Sequence, residues 1–232
     1  MARSSYFINW LLSTWIALLF SLSLSAPLES NEKSVVVKRN DAIYDIWNSI
    51  PNTQKAQGDS ALEFNIDQTQ DNAWGVTYLY GCTALMISDP NFVIVAHMQQ
   101  ETGTGTICIN DQAALQKYLT NTLQPALDLH DPTANTQVDL IYNSNDCKWT
   151  GTGVQSIKSY LMDDVNFGAA ENIIFPRPYT GSSGTGTPNP NSPRGLAVVQ
   201  WQKPQLVGLT VGTLQVYFNN DTPLRDQVFM TM

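Results

Sequence analysis

Apolar residues along this chain recur in two periods, alternation by two and a three-four spacing, and the switches between them divide the sequence into short elements. Ile43, Trp47 and Ile50 fall on one face of a helix over residues 41–50, which Pro51 stops. Leu62, Phe64 and Ile66 alternate with polar neighbours, and the same alternation returns over residues 74–80, so both segments read as strands. Two apolar runs, 84–87 and 92–96, flank Asp89-Pro90-Asn91 and read as the arms of a β-hairpin. Asn110 or Asp111 caps a helix with Leu115, Tyr118, Leu119 and Leu123 on its apolar face, ending near Pro125. A strand follows at 138–142. A second helix opens on the capping box Thr152 to Gln155, with Val154, Ile157 and Leu161 inward. Then come a strand at 172–175, a Gly/Ser/Thr/Pro/Asn-rich loop over 179–193, and two or three strands from the runs 196–201, 206–211 and 214–218. This order predicts one compact domain of mixed α/β (α+β) class.

The hairpin carries the candidate chemistry. Cys82 stands at the start of its first arm and His97, one of two histidines, at the end of its second. A turn centred between Asp89 and Pro90 sets the two side chains directly opposite each other. A type I turn beginning at Asp89, which suits Pro90 better, makes them diagonal neighbours on the same face. A slip of one residue puts them on opposite faces.

A thiol beside an imidazole is a nucleophile beside its base. The imidazole takes the thiol proton and can return it to a poor leaving group such as ammonia. Backbone N–H groups at the Gly81-Cys82 bend are candidates for holding the oxyanion. Thr77, on the strand leading into the bend, is the candidate hydroxyl near the thiol, and Gln99 or Glu101 is placed to orient the imidazole. Against this stands the reading of Cys82 as a core thiol and His97 as a strand-end histidine.

The run Leu79-Tyr80-Gly81-Cys82-Thr83, with His97 following, resembles the catalytic motif of the cytotoxic necrotizing factor toxins. It is similar, more loosely, to that of the chemoreceptor glutamine deamidases. The resemblance implies a Cys-His enzyme that hydrolyses a glutamine side-chain amide in a protein, with Cys82 as nucleophile and His97 as general base. It also implies a β-sandwich-like core with flanking helices and a central catalytic hairpin. Tyr80 stands where the toxins carry serine. Val76 stands where the chemotaxis enzymes carry a helper threonine, with Thr77 one place later.

The N-terminus adds a destination. Arg3, the apolar run 10–20 and Ser23/Ser25 before Ala26 read as a signal peptide over residues 1–25, so the product is expected to be secreted and soluble. Lys38-Arg39 reads either as a kexin-type processing site, making 26–39 a pro-segment and 40–232 the mature deamidase-like domain, or as a chance pair in a flexible terminus. The whole chain has a formal charge of −8. Residues 1–39 hold four basic and two acidic side chains, so the remainder is more acidic still. That balance argues against nucleic acid or an anionic membrane as partner.

Three cysteines in an oxidising compartment leave one unpaired. Cys108 and Cys147 are expected to pair, keeping Cys82 as the thiol; bonding of Cys82 to either would disable it. No spacing suits zinc, and neither metal nor cofactor is expected. The Gly-Thr run 102–106 lacks a following Gly-Lys-Ser/Thr, and Ser183 lacks the glycine of a nucleophile elbow, which removes phosphate-loop and serine-hydrolase readings. Asn220-Asp221-Thr222 is a glycosylation sequon at Asn220.

The reading is a secreted, effector- or toxin-like protein-glutamine deamidase, monomeric, whose partner is a protein bearing a reactive glutamine. An amine replacing water would make it a transglutaminase. The alternatives are a non-catalytic secreted binding or structural protein and a Cys-His peptidase.

Overall fold

The computed structural model describes residues 43–77, 79, 81–98, 112–143, 152–164, 167–168, 173–179, 195–204, 211–219 and 222–230. The expectations for residues 1–39, Gln99, Glu101, Cys108, Cys147, Ser183 and Asn220 lie outside the described residues. Among those described, no helix is long and apolar enough to cross a membrane. Residues 40–232 form one compact unit.

Among the described residues, ten strands form two five-stranded mixed sheets. The first sheet runs β1 (Lys55–Ala56), β3 (Asn72–Val76), β8 (Ala197–Gln202), β9 (Val211–Phe218), β10 (Arg225–Met230). The second runs β2 (Ser60–Asn65), β5 (Phe92–Met98), β4 (Thr83–Ser88), β6 (Gln137–Asn143), β7 (Ile174–Tyr179). Only β1 with β3 and β6 with β7 pair in parallel. The helices are α1 (Ile43–Ser49), α2 (Gln112–Tyr118), α3 (Gln124–Leu127) and α4 (Thr152–Asp163).

Strand alternation sorts the apolar side chains into three cores. Trp74, Val76, Val199, Trp201, Leu214 and Val216 of the first sheet meet Ala84, Met86, Val93, Val95 and Ile141 of the second, so the two sheets stack face to face. The opposite face of the second sheet (Leu85, Ile87, Phe92, Ile94, Ala96) is covered by Leu115, Leu119, Leu123, Ile157 and Leu161 of the helices. The outer face of the first sheet holds α1 through Ile43 and Ile46, with Ile50 just beyond the helix. The result is a helix–sheet–sheet–helix sandwich, of the α+β class expected from the element order.

Several elements differ from the sequence reading, among them β1, which was not expected, and β9, which runs unbroken over Val211–Phe218. Pro125 does not end its helix: a π-helical turn, Leu119–Leu123, comes first, and Pro125 then falls in the first turn of α3. The widened turn accommodates a residue that lacks an N–H and would clash with an ordinary α-helical carbonyl four residues earlier. The strand expected to stop at residue 175 continues through Pro176 and Pro178 to Tyr179. Prolines are tolerated there because β7 is the edge of its sheet. β10 was not expected at all, since Arg225, Asp226 and Gln227 obscure its alternation.

Candidate active site

The hairpin closes with Asp89 N–H donating to Phe92 O (2.9 Å), leaving Pro90 and Asn91 as its central residues. Neither has positive φ, so this is the turn beginning at Asp89 rather than a primed one. The resulting register pairs Ala84 with His97 and Thr83 with Met98. Cys82, two residues before Ala84, is therefore the diagonal neighbour of His97 on the same face, a relation that ordinarily separates Cα atoms by about 7–8 Å. That face is the one turned toward the first sheet, and Cys82 packs against its core.

Asp89 holds this turn. Its buried carboxylate accepts from Asn91 N–H and Asn91 Nδ2 (both 3.0 Å), Thr133 Oγ1 (2.5 Å) and Thr136 Oγ1 (2.8 Å). The hairpin tip is thereby tied to the segment leading into β6.

Lateral pairing across the second sheet aligns two adjoining rows of residues. One row runs Ser60–His97–Ala84–Ile141–Arg177. In the next, Asn143 pairs with Tyr179, whose hydroxyl reaches Cys82 O. Asn143 is fully buried. The sequence reading singled out neither Asn143 nor Tyr179.

His97 is 2% exposed, and its Nδ1 lies 2.5 Å from the carbonyl oxygen of Gly58. A carbonyl only accepts, so Nδ1 carries the proton; in the neutral ring Nε2 is then the basic nitrogen. The segment before β2 is shaped for this contact. Gly58 has φ 63°, a left-handed conformation that suits glycine. Gln57 N–H donates to Ser60 Oγ, which in turn donates to Gln57 O, and Ser60 N–H donates to Gly58 O. From α2, Tyr118 Oη donates to Ser60 O (2.8 Å); burial, with the Asp59 carboxylate adding to it, pushes the Tyr118 phenol far up, so it stays protonated.

Cys82 is a half-buried thiol. The bend before it is made by Gly81, whose φ of 145° is again glycine territory. Tyr179 clamps this bend: Gly81 N–H donates to Tyr179 Oη (3.0 Å), and the same hydroxyl donates to Cys82 O (2.7 Å). The Gly81 amide, expected as an oxyanion donor, is therefore engaged by Tyr179 in this state. Thr77 follows β3 in the first sheet, is 8% exposed, and its amide donates to Ala56 O. Among the described residues its hydroxyl bonds to neither Cys82 nor His97. Among the described residues, then, a backbone carbonyl meets His97 Nδ1 and a tyrosine hydroxyl holds the cysteine bend.

The other histidine has a different setting. His130 stacks on Phe92 (centroids 4.4 Å, 10° between planes) and its Nε2 lies 3.1 Å from Glu63 Oε2. Phe92 belongs to the helix-facing core, so this pair lies on the other face of the second sheet from Cys82. A groove of 660 Å³ between α2, α3 and α4, lined by Gln116, Gln124, Asp128, Tyr160, Asp163 and Asp164, also belongs to that helix layer.

No family model matches the sequence, and no curated protein matches it. Among solved structures the chain is similar to the C-terminal domain of CNFy from Yersinia pseudotuberculosis, with 12% identity and a TM-score of 0.33 over 76% of this chain. The match spans 60% of that domain.

Proposed function

We propose that this chain is a Cys-His amidohydrolase acting on the side-chain amide of a protein glutamine, secreted and effector- or toxin-like. The observation that carries the reading is the Nδ1 contact of His97 with Gly58 O, which leaves Nε2 as the base on the sheet face that Cys82 shares.

In this reading the Cys82 thiol gives its proton to His97 Nε2 and the thiolate attacks the carboxamide carbon. A C–S bond forms and the carbonyl electron pair moves onto oxygen. With the Gly81 amide on Tyr179, the Cys82 N–H is the proposed oxyanion donor from the bend. Collapse breaks the C–N bond while the imidazolium protonates the departing nitrogen, releasing ammonia and leaving a thioester. His97 then takes a proton from water, the hydroxide adds, and the C–S bond breaks to give glutamate and the thiol. An amine in place of water gives the transglutaminase product by the same steps. Thr77, the Cys108–Cys147 disulfide, glycosylation at Asn220 and the monomeric state belong to this reading as proposals.

The test is incubation of the secreted protein and its Cys82→Ser variant with casein and with a panel of candidate proteins. Wild type is expected to release ammonia and raise the mass of individual glutamine residues by the difference between –NH2 and –OH. Equal release by Cys82→Ser would exclude the mechanism.

A further inference from the structure

Tyr179 is the most distant contributor to the bend in sequence and among the most constrained. Its ring is 9% exposed and tilts against Phe218 (5.2 Å, 58°), and its hydroxyl uses both a lone pair and its proton on consecutive residues, Gly81 and Cys82. Gly81 lacks a side chain and sits at φ 145°, and Cys82 precedes the first residue of β4. The two hydroxyl bonds tie the peptide from which the sulfur projects to β7.

We infer that Tyr179 is a positioning residue: its hydroxyl holds the Gly81-Cys82 peptide in the pose that presents the Cys82 thiol to His97. The inference rests on the Cys-His reading, but its test needs no substrate. Tyr179→Phe removes both hydrogen bonds and keeps the ring on Phe218. Loosening the bend separates sulfur from imidazole and lowers the thiolate fraction near neutral pH.

The experiment measures iodoacetamide alkylation of Cys82 in the native full-length secreted protein between pH 5 and 9, read on the Cys82 peptide by mass spectrometry. For Tyr179→Phe the rate at pH 7 is expected to fall about three- to tenfold, the factor set by losing one or two hydrogen bonds of ordinary net strength. The midpoint of the profile is expected to move upward. Phe218→Leu, which removes ring packing but leaves the hydroxyl, is expected to lower the melting temperature without moving the midpoint. A Tyr179→Phe profile that superimposes on wild type overturns the inference. His97→Ala separates the two levels. If it leaves the profile unchanged, the Cys-His reading itself fails; if it shifts the profile while Tyr179→Phe does not, only the role of Tyr179 fails.

Discussion

Asp139→Asn tests the forces that hold the two sheets together. Asp139 lies on β6, fully buried, on the face turned toward the first sheet. Arg225, from β10 of the first sheet, reaches across to it with Nε at 3.0 Å and Nη2 at 2.8 Å from Oδ2, while Arg177 of β7 places Nε 3.0 Å from Oδ1. Arg225 also donates to Ser88 Oγ (2.6 Å) and Gln227 Oε1 (2.7 Å). The asparagine keeps the shape and removes the charge. The Arg177 side chain, 30% exposed, can take up water in compensation; that of Arg225, 9% exposed, cannot. The loss is therefore dominated by one stranded guanidinium, about 3–4 kcal/mol by analogy with broken buried pairs.

For a unit of this size that loss corresponds to a fall in melting temperature of about 6–16 °C. Urea titration followed by tryptophan fluorescence reads it directly, because Trp74 and Trp201 are buried between the same two sheets. The double variant Asp139→Leu/Arg225→Met, which removes both charges, is expected to be more stable than Asp139→Asn, since an apolar pair needs no counter-charge. A loss below about 1 kcal/mol in Asp139→Asn, or a double variant less stable than it, would refute the reasoning. Native Asp139→Asn should retain the wild-type alkylation profile of Cys82, because Asp139 is four residues along β6 from Asn143 and its carboxylate is bonded by Arg177 and Arg225.

Other expectations follow from single positions. A Cβ at Gly212 would lie 2.1 Å from Trp201, whose ring is fully buried, whereas at Gly75 it would lie 2.6 Å from the partly buried Trp47 ring and 3.0 Å from Ala197 O. Both alanine variants should be destabilised by about 1–3 kcal/mol, Gly212→Ala more, in the same urea titration; the reverse order would count against the packing argument. Asp89→Ala removes the acceptor of two threonine hydroxyls and of the Asn91 amide, and should lower stability by about 2–4 kcal/mol, with Asp89→Asn in between; a near-neutral Asp89→Ala would show that the turn needs no anchor. The Asp67 carboxyl is held below its ordinary pKa by the hydroxyl of Thr69 and then by its amide, with desolvation opposing weakly. A depressed carboxylate adds stability above its unfolded pKa and loses it as pH falls through the folded one. Thr69→Ala should therefore raise the Asp67 midpoint in an NMR titration, and an unmoved midpoint would exclude the hydroxyl as the cause.

The parts of the site legible in the sequence are those in which side chains signal their own geometry. Asp89-Pro90-Asn91 between two apolar runs restricts the hairpin to few registers, and both the turn centred between Asp89 and Pro90 and the one beginning at Asp89 put Cys82 and His97 on one face. Ile43, Leu115 and Ile157 mark helix faces through their spacing alone. What escaped has no such signature. The group on His97 Nδ1 is the carbonyl of Gly58, which every residue possesses, and its aim depends on a left-handed glycine and a hook from Ser60. Tyr179 escapes because the strand pattern stops at residue 175, before Pro176 and Pro178, and a loop-like composition begins at 179, although an edge strand tolerates both prolines. β10 was lost because Arg225 points a charge between the sheets, where the sequence pattern requires an apolar side chain unless a buried partner such as Asp139 awaits it.

The candidate site is also an edge-to-edge property of one sheet. Gly58 before β2, His97 on β5, Cys82 before β4 and Tyr179 on β7 come from four segments, yet the strand order β2-β5-β4-β6-β7 sets them across two neighbouring rows. A register shift of one residue at the β4–β5 pair would turn Cys82 and His97 to opposite faces while leaving the hydrogen-bonded ladder intact. Nothing in the ladder itself opposes that shift. What opposes it is the pattern of the two cores, since Leu85 and Ala96 pack under the helices while Ala84 and Val95 pack under the first sheet. The anchoring of Asp89 by Thr133 and Thr136 fixes the turn in the same register. The placement of Cys82 and His97 on one face of the sheet is thus maintained by the packing of both cores and by the anchored turn.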